Sequence, residues 1–373
     1  MEKQQSIFFE DIESVANASF VPWDKLRNKT VFITGGTGLI GASVIRCLHY
    51  ASRKMNLNLS ATALVRDERK AVERFKDELS DGFLKIVVGT VEEFPDFEGE
   101  ADYILHAASQ TASMEFVSHA AETMRTAVTG TMNLLEFARK KRVKGFVYLS
   151  SMEVYGHPKK GHRVTESEIG ALSPLELRNS YPIGKIAAEA LCCAYAAEYG
   201  VPAMVCRLTQ TFGPGVNEND TRVFAYFGKC AKEKKNIVLK TKGETERSYL
   251  YTTDAVTALL VILLKGKPGH AYNAADESTY CSISEMAEKV AREAGIKVEY
   301  ALQDAAANGF LDTLYMDMDV SALKALGWRA LIRGGRGRLI EMYRRMLADM
   351  QKPEARHSEQ VPAKHKGKET LPV

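Results

Sequence analysis

Thr34-Gly-Gly-Thr-Gly-Leu-Ile-Gly41 decides how this chain reads. It follows the β-branched run Thr30-Val-Phe-Ile-Thr34 and opens an apolar-periodic stretch from Leu39 to Tyr50. Strand, glycine turn and helix in that order predict a cradle for a pyrophosphate. Gly35 allows the tight turn, Gly38 lets the backbone approach the phosphates, and Gly41 permits close helix–sheet packing. The helix N-terminus, with Thr37, Leu39 and Ile40 in its turn, offers N–H donors and a favourable dipole. A glycine pattern alone marks many plain turns. Its placement between strand and helix is what favours a cofactor.

Working outward, Ala61–Val65, Leu84–Val88, Tyr103–His106, Phe146–Ser150 and Ala203–Leu208 read as further short buried strands. Helical stretches fall between them at Asp67–Leu79, Thr123–Lys141 and Pro182–Tyr199. Short apolar strands alternating with helices predict an α/β fold, a doubly wound parallel sheet covered on both faces. After Leu208 the rhythm breaks at Gly213-Pro214-Gly215. Thr252–Leu264 reads as a helix returning to the main unit, and Ser282-Ile-Ser-Glu285 has capping-box spacing before another helix. The expected division is an N-terminal extension (1–28), a cofactor unit (29–208 and 250–275) and a smaller substrate lobe (209–249 and 276–350). A polar tail rich in Lys and Pro, 351–373, is expected to be disordered.

The end of the second strand reads Val65-Arg66-Asp67. Asp67 can bond the ribose hydroxyls of NAD, whereas Arg66 can attract the 2′-phosphate of NADP. The expectation is NAD, with NADP possible because of Arg66. A solvated charge pair starting a helix is the plainer alternative.

Among 373 residues, Lys and Arg number 50 against 47 for Asp and Glu, a net charge of +3. Such a balance gives no field for nucleic acid or an anionic membrane. No apolar run approaches the ~20 residues that span a bilayer. Six cysteines without CxxC spacing, and eight scattered histidines, predict neither a disulfide frame nor a metal site. The cytoplasm is the expected location.

Tyr181-Pro-Ile-Gly-Lys185 sets Tyr and Lys four residues apart, so both side chains share a helix face, with Pro182 suited to the first turn. Ser150 and Ser151 end a strand at the carboxyl edge where α/β enzymes bind ligands. A Tyr of pKa ~10 is a poor base at neutral pH. A neighbouring ammonium and a positive nicotinamide are expected to favour its phenolate. Ser151 can then hold the substrate oxygen. Glu153, two residues on along what reads as an extended segment, is expected to project to the same side as Ser151.

In this order the glycine loop, the Ser pair and YxxxK resemble the extended short-chain dehydrogenase/reductase family, also called the NAD-dependent epimerase/dehydratase family, over about Thr30 to Met346. His106-Ala-Ala-Ser109, Ser150-Ser-Met-Glu-Val-Tyr-Gly156, Arg207-Leu-Thr-Gln-Thr-Phe-Gly-Pro214 and Ala325-Leu-Gly-Trp328 carry the same likeness. The resemblance implies a Rossmann-type fold, with Gly35, Thr37, Gly38, Leu39, Ile40, Gly41, Arg66, Asp67, Ala107, Ala108, Ser109, Tyr181 and Lys185 around the cofactor. It implies a catalytic Ser151–Tyr181–Lys185 core with Glu153 beside it, and a homodimer built on the helices at 123–141 and 182–199.

Asn219-Asp-Thr-Arg-Val-Phe224 and Gly243-Glu-Thr-Glu-Arg-Ser-Tyr249 are similar to segments that hold the nucleotide in bacterial nucleotide-sugar enzymes. By that resemblance Gln210, Arg222 and Arg247 bind substrate, Arg247 on the diphosphate. The implied reaction passes through a 4-keto sugar. A 4-epimerase is favoured, a UDP-glucuronate-type decarboxylase is the alternative, and a 4,6-dehydratase or ketosugar reductase follows. Met152 stands where dehydratases carry an Asp, and a thioether cannot protonate a leaving hydroxyl. A non-catalytic nicotinamide sensor is the reading from another class, but it needs no Ser–Tyr–Lys set.

Overall fold

The computed structural model describes residues 7–110, 115–303 and 313–351. Its strands are β1 (Thr30–Thr34), β2 (Ser60–Val65), β3 (Leu84–Val88), β4 (Tyr103–His106), β5 (Gly145–Ser151), β6 (Arg163–Val164), β7 (Ala203–Leu208), β8 (Gln210–Phe212), β9 (Ile237–Leu239), β10 (Glu246–Tyr251), β11 (Ala271–Ala274), β12 (Asp276–Ser282), β13 (Val298–Tyr300) and β14 (Tyr315–Met318). The helices are α1 (Ile7–Ala16), α2 (Leu39–Lys54), α3 (Glu68–Arg74), α4 (Lys76–Ser80), α5 (Glu115–Ser118), α6 (Ala120–Arg125), α7 (Thr131–Lys141), α8 (Ser180–Tyr199), α9 (Val223–Glu233), α10 (Thr252–Lys265), α11 (Ile283–Ala294), α12 (Ser321–Ala325) and α13 (Arg338–Gln351).

Seven strands form one parallel sheet in the order β11-β7-β5-β4-β1-β2-β3. Alternation along each strand feeds two cores. Val31 and Ile33 of β1 pack with α1, α2 and α10, while Phe32 faces α7 and α8 on the other side. This is the doubly wound Rossmann architecture expected from the strand–helix rhythm. After β3 the chain crosses to β4 on the far side of β1, which opens a crevice at the carboxyl ends of β1 and β4. Helix α10 is buried from Thr252 to Leu264, so from Ala258 to Leu264 its sequence is apolar all round rather than on one stripe.

The second sheet runs β12-β10-β14-β6, with β8 beside β10. Only Thr209 separates β7 from β8, so one extended run carries the chain from the first sheet to the second. Phe212, Phe224, Tyr249 and Tyr343 fill the core beneath it. Strands β9 and β13 pair separately. The capping box at Ser282 and Glu285 forms as its spacing predicts.

Three local expectations are corrected. The stretch expected as one helix over Asp67–Leu79 breaks at Phe75, whose ring is fully buried in the core. The helix expected over Thr123–Lys141 passes through a π-turn at Thr126–Gly130. The expected N-terminal extension contributes α1, which packs Ile12, Val15 and Ala16 into the main core. On α1, buried Asp11 accepts a hydrogen bond from the Tyr251 hydroxyl (2.5 Å) and pairs with Arg345 of α13 (2.8 Å). Apart from Gln351, the tail expected to be disordered lies outside the described residues.

Candidate active site

Gly35 turns at φ +66°, and a Cβ there would lie 2.7 Å from the Ala107 carbonyl carbon. Only glycine lets the loop after β1 rest on the loop after β4. Thr34 ties the two from the side, its hydroxyl oxygen accepting from the Ala108 N–H (3.1 Å) and lying 2.8 Å from His106 Nδ1. Burial drops the His106 imidazole to about 3, so it serves as a neutral strut between Thr34 and Thr131. A Cβ on Gly41 would meet the Gly35 carbonyl oxygen at 2.4 Å. The close approach expected between helix and sheet is therefore made within the loop itself. Gly38 is the N-cap of α2, and no side chain among the described residues caps that end. The first-turn N–H groups thus face the crevice side of the sheet with a helix dipole behind them.

At the end of β2, Asp67 caps α3 by accepting from the Lys70 N–H (2.9 Å), and Arg66 is exposed. The plain reading of that pair, a charged helix start, is thus part of what Asp67 does.

Strand β5 and helix α8 meet through three consecutive residues of the strand. The Ser151 hydroxyl is hydrogen-bonded to Tyr181. Lys185 Nζ donates to the Leu149 carbonyl at 2.6 Å. The Ser150 hydroxyl donates to the Glu189 carboxylate at 2.5 Å. Positions 181, 185 and 189 repeat every four residues and so share one face of α8. Pro182 lies in the first turn, where its missing N–H costs nothing. The Lys185 ammonium lies 4.6 Å from the Tyr148 ring centre and 5.6 Å from that of Tyr181.

The electrostatics correct one expectation. Burial pushes the Tyr181 phenol above its usual range and Glu153 pushes it further. The Ser151 hydrogen bond, Arg178 and Arg222 pull it down. Lys185 is itself brought down to about 7 by burial, against the pull of Glu189. The expected depression of Tyr181 by an adjacent ammonium is absent in the protein alone, because both groups are desolvated together.

Glu153 is a second correction. Residues Met152–Tyr155 form a 3₁₀ turn rather than an extended segment, since the Ser151 hydroxyl caps it by accepting from the Glu153 N–H (3.2 Å). The turn carries the Glu153 carboxylate to the Arg178 guanidinium at 2.8 Å. Arg178 precedes Tyr181 by three residues, and sequence reasoning passed over it. Its only signal was a cation close to the Tyr in a stretch that otherwise read as loop. Met152 is buried and its sulfur takes the Thr209 hydroxyl at 3.4 Å.

Apart from Ser151 on β5, the residues read as substrate-binding lie on the second sheet or at the start of α9. Gln210 pairs with Tyr249 across β8 and β10. Arg222 is held by Asp220 (Nε–Oδ1 3.0 Å) and sits 4.7 Å over the Phe224 ring. Its effect on Tyr181 marks it as a neighbour of that hydroxyl. Asp220 was not foreseen as its anchor. Arg247 lies on β10, and its buried Nε has no hydrogen-bond partner among the described residues, which fits a site for an anion.

A model of the NAD dependent epimerase/dehydratase family matches residues 31–275. The chain belongs to that family. UDP-glucuronic acid decarboxylase 6 of Arabidopsis thaliana is 28% identical over 310 residues, covering 82% of this chain and 85% of that protein. UDP-glucuronic acid decarboxylase 1 of Xenopus tropicalis is 32% identical over 164 residues, which are 44% of this chain but only 38% of that protein. The fold is shared with UDP-glucuronic acid 4-epimerase from Bacillus cereus in complex with NAD. That match has TM-score 0.70 and 16% identity, over 87% of this chain and 99% of that one.

NAD is the cofactor of this epimerase/dehydratase family, and the residues here fit it. The uncapped start of α2 suits a pyrophosphate, and the Gly35–Ala107 contact leaves backbone, not side chain, at the crevice floor. Asp67 stands at the carboxyl end of β2, and Lys185 lies beside Tyr181.

Proposed function

We propose that this family member oxidises the C4 hydroxyl of a nucleotide-linked sugar and returns the hydride to the opposite face, a 4-epimerisation through a 4-ketose. The observation that supports it best is the set of contacts between β5 and α8, which gathers Ser151, Tyr181 and Lys185 at the carboxyl edge of the sheet. Bound NAD supplies the hydride acceptor and afterwards the donor. Tyr181 takes the proton from the sugar hydroxyl and gives it back when the ketose is reduced. Ser151 holds the same oxygen, Lys185 binds the nicotinamide ribose, and Arg247 and Arg222 hold the nucleotide part. Packed into the core, Met152 offers no acid to a leaving hydroxyl, which weighs against dehydration.

One observation favours decarboxylation as the second reading. Arg178 puts a cation beside Glu153 and Tyr181, where a sugar carboxylate can be met. The relatives named above as UDP-glucuronic acid decarboxylases point the same way. The test is incubation with a panel of UDP-, dTDP-, CDP- and GDP-sugars, read by mass and NMR. Epimerisation gives a product of unchanged mass with inverted C4. No turnover of any nucleotide sugar would overturn the proposal.

The same reading carries a homodimer through α6–α8, where Met132 (42% exposed) and Tyr199 (53% exposed) are exposed large apolar residues. It also keeps the division into a cofactor unit (29–208 and 250–275) and a substrate lobe (209–249 and 276–350). A reducing compartment such as the cytoplasm suits six unbridged cysteines. No helix among the described residues is long and apolar enough to cross a membrane.

A further inference from the structure

Glu189 is a buried carboxylate that the proposed mechanism does not use. It lies one turn beyond Lys185 on α8 and accepts the Ser150 hydroxyl at 2.5 Å. Arg207 grips it through Nε (3.1 and 3.2 Å) and through the second guanidinium nitrogen (2.7 Å). Arg207 pairs in register with Ser150 across β5 and β7, so strand, neighbouring strand and helix meet at this one carboxylate. The guanidinium also donates to the Tyr155 hydroxyl and to the Glu166 and Glu168 carbonyls. Tyr155 closes the turn that carries Glu153.

We propose that Glu189 is a positioning residue for the Tyr181–Lys185 pair, fixing the face of α8 on the end of β5 and setting a negative charge one helical turn from the buried Lys185 ammonium. The inference rests on the catalytic reading of Tyr181 and Lys185. Around Lys185 the titratable neighbours are Glu189 and Cys192 on α8, Tyr181 at its start, Tyr148 on β5 and His106 on β4. His106 is held neutral, and burial holds the Cys192 thiol and the Tyr148 phenol in their neutral forms. Among the described residues Glu189 is the one carboxylate acting on Lys185, and Arg207 on β7 pairs with it at 2.7 Å. Strand residues 149, 150 and 151 bond α8 residues 185, 189 and 181, so loss of the 189 contact loosens the frame of the other two.

The test is direct titration of Lys185 in the purified, full-length protein, by NMR of reductively ¹³C-methylated lysines, with Lys185→Arg used to assign the signal. Glu189→Gln keeps a hydrogen-bonding side chain of the same size and removes the charge. The Lys185 midpoint should fall by roughly one pH unit or more, and Glu189→Asp should recover part of it. If Glu189→Gln does not fold, the double variant Glu189→Gln/Arg207→Met also removes the guanidinium that would be left unpaired and should show the same fall. A Lys185 midpoint that stays within a few tenths of a pH unit in whichever variant folds overturns the proposal. This readout needs no substrate. A protein that shows the fall but turns over no nucleotide sugar would sink the functional reading and leave the role of Glu189 intact.

Discussion

The Glu153 carboxylate and the Arg178 guanidinium meet at 2.8 Å, joining the turn after β5 to the turn before α8 directly beside Tyr181. Glu153 drives the Tyr181 phenol up and Arg178 draws it down. Removing only the cation therefore moves Tyr181 upward. In the proposed mechanism the phenolate is the working base, so Arg178→Met should move the acid limb of the kcat–pH profile to higher pH. At a fixed pH on that limb, turnover should fall about tenfold for every pH unit the limb moves. An unmoved limb would show that the pair does not act on the base.

Glu153 also separates the competing reactions. Hydride leaves and returns at one carbon in a 4-epimerisation, so no second proton-transfer group is required. Glu153→Gln should then keep turnover well above the ~10²-fold loss typical of a missing acid–base group. Mass spectrometry of the product should give the mass of the substrate. Loss of the mass of carbon dioxide would establish decarboxylation, and loss of the mass of water, dehydration.

Tyr181→Phe removes one hydroxyl and leaves the ring that packs near Lys185. Folding and NAD affinity should be nearly unchanged while turnover falls by ~10² or more. Calorimetric NAD binding and progress curves, run on the same preparation, separate the two effects. Wild-type-like rates would remove Tyr181 from the mechanism.

Lys185 gives a stability prediction with a definite sign. Its folded value of about 7 lies below the ordinary 10.5, so the folded state binds that proton less tightly than the unfolded state. The resulting penalty is largest at and below about pH 7 and fades as pH rises toward 10.5. Lys185→Met should raise the melting temperature of the cofactor-free protein near neutrality. That advantage should shrink steadily above pH 7, although turnover is lost throughout. A constant difference across that range would contradict the depressed lysine.

Arg247→Ala should weaken nucleoside diphosphate and nucleotide sugar alike. Loss of a charge-assisted, bidentate contact corresponds to about 1.5–3 kcal/mol, roughly a 10- to 100-fold rise in Kd. Titration calorimetry with UDP and dTDP reads it. Equal turnover of a free sugar and its nucleotide form would remove Arg247 from substrate binding.

Much of this was legible in the amino-acid order alone. Strands such as Leu84–Val88 and Tyr103–His106 have the bounds their apolar runs predict, because turn residues fence short apolar strands on both sides. Tyr181, Lys185 and Ser151 were readable because helix period and strand end are local properties. What stayed hidden depends on distant partners. Glu153 leaves an extended path because the Ser151 hydroxyl caps the turn, and its direction is settled by Arg178, 25 positions on. Phe75 breaks a charged helix because the core has room for its ring. Arg207 was legible only as part of a buried strand and Glu189 not at all, because each is buried through the other.

The contact between Asp11 and Arg345 joins groups 334 positions apart. At ribosomal speeds of ~5–20 residues per second, the acid emerges tens of seconds before its base. In that interval α1 can already seat Ile12 and Val15 against α2 and α10, but the carboxylate beneath has no cation to meet. Docking of α13 therefore follows the seating of α1. A nascent chain halted before residue 345 should carry an α1 that exchanges its amide hydrogens readily. Only release of α13 would lock α1.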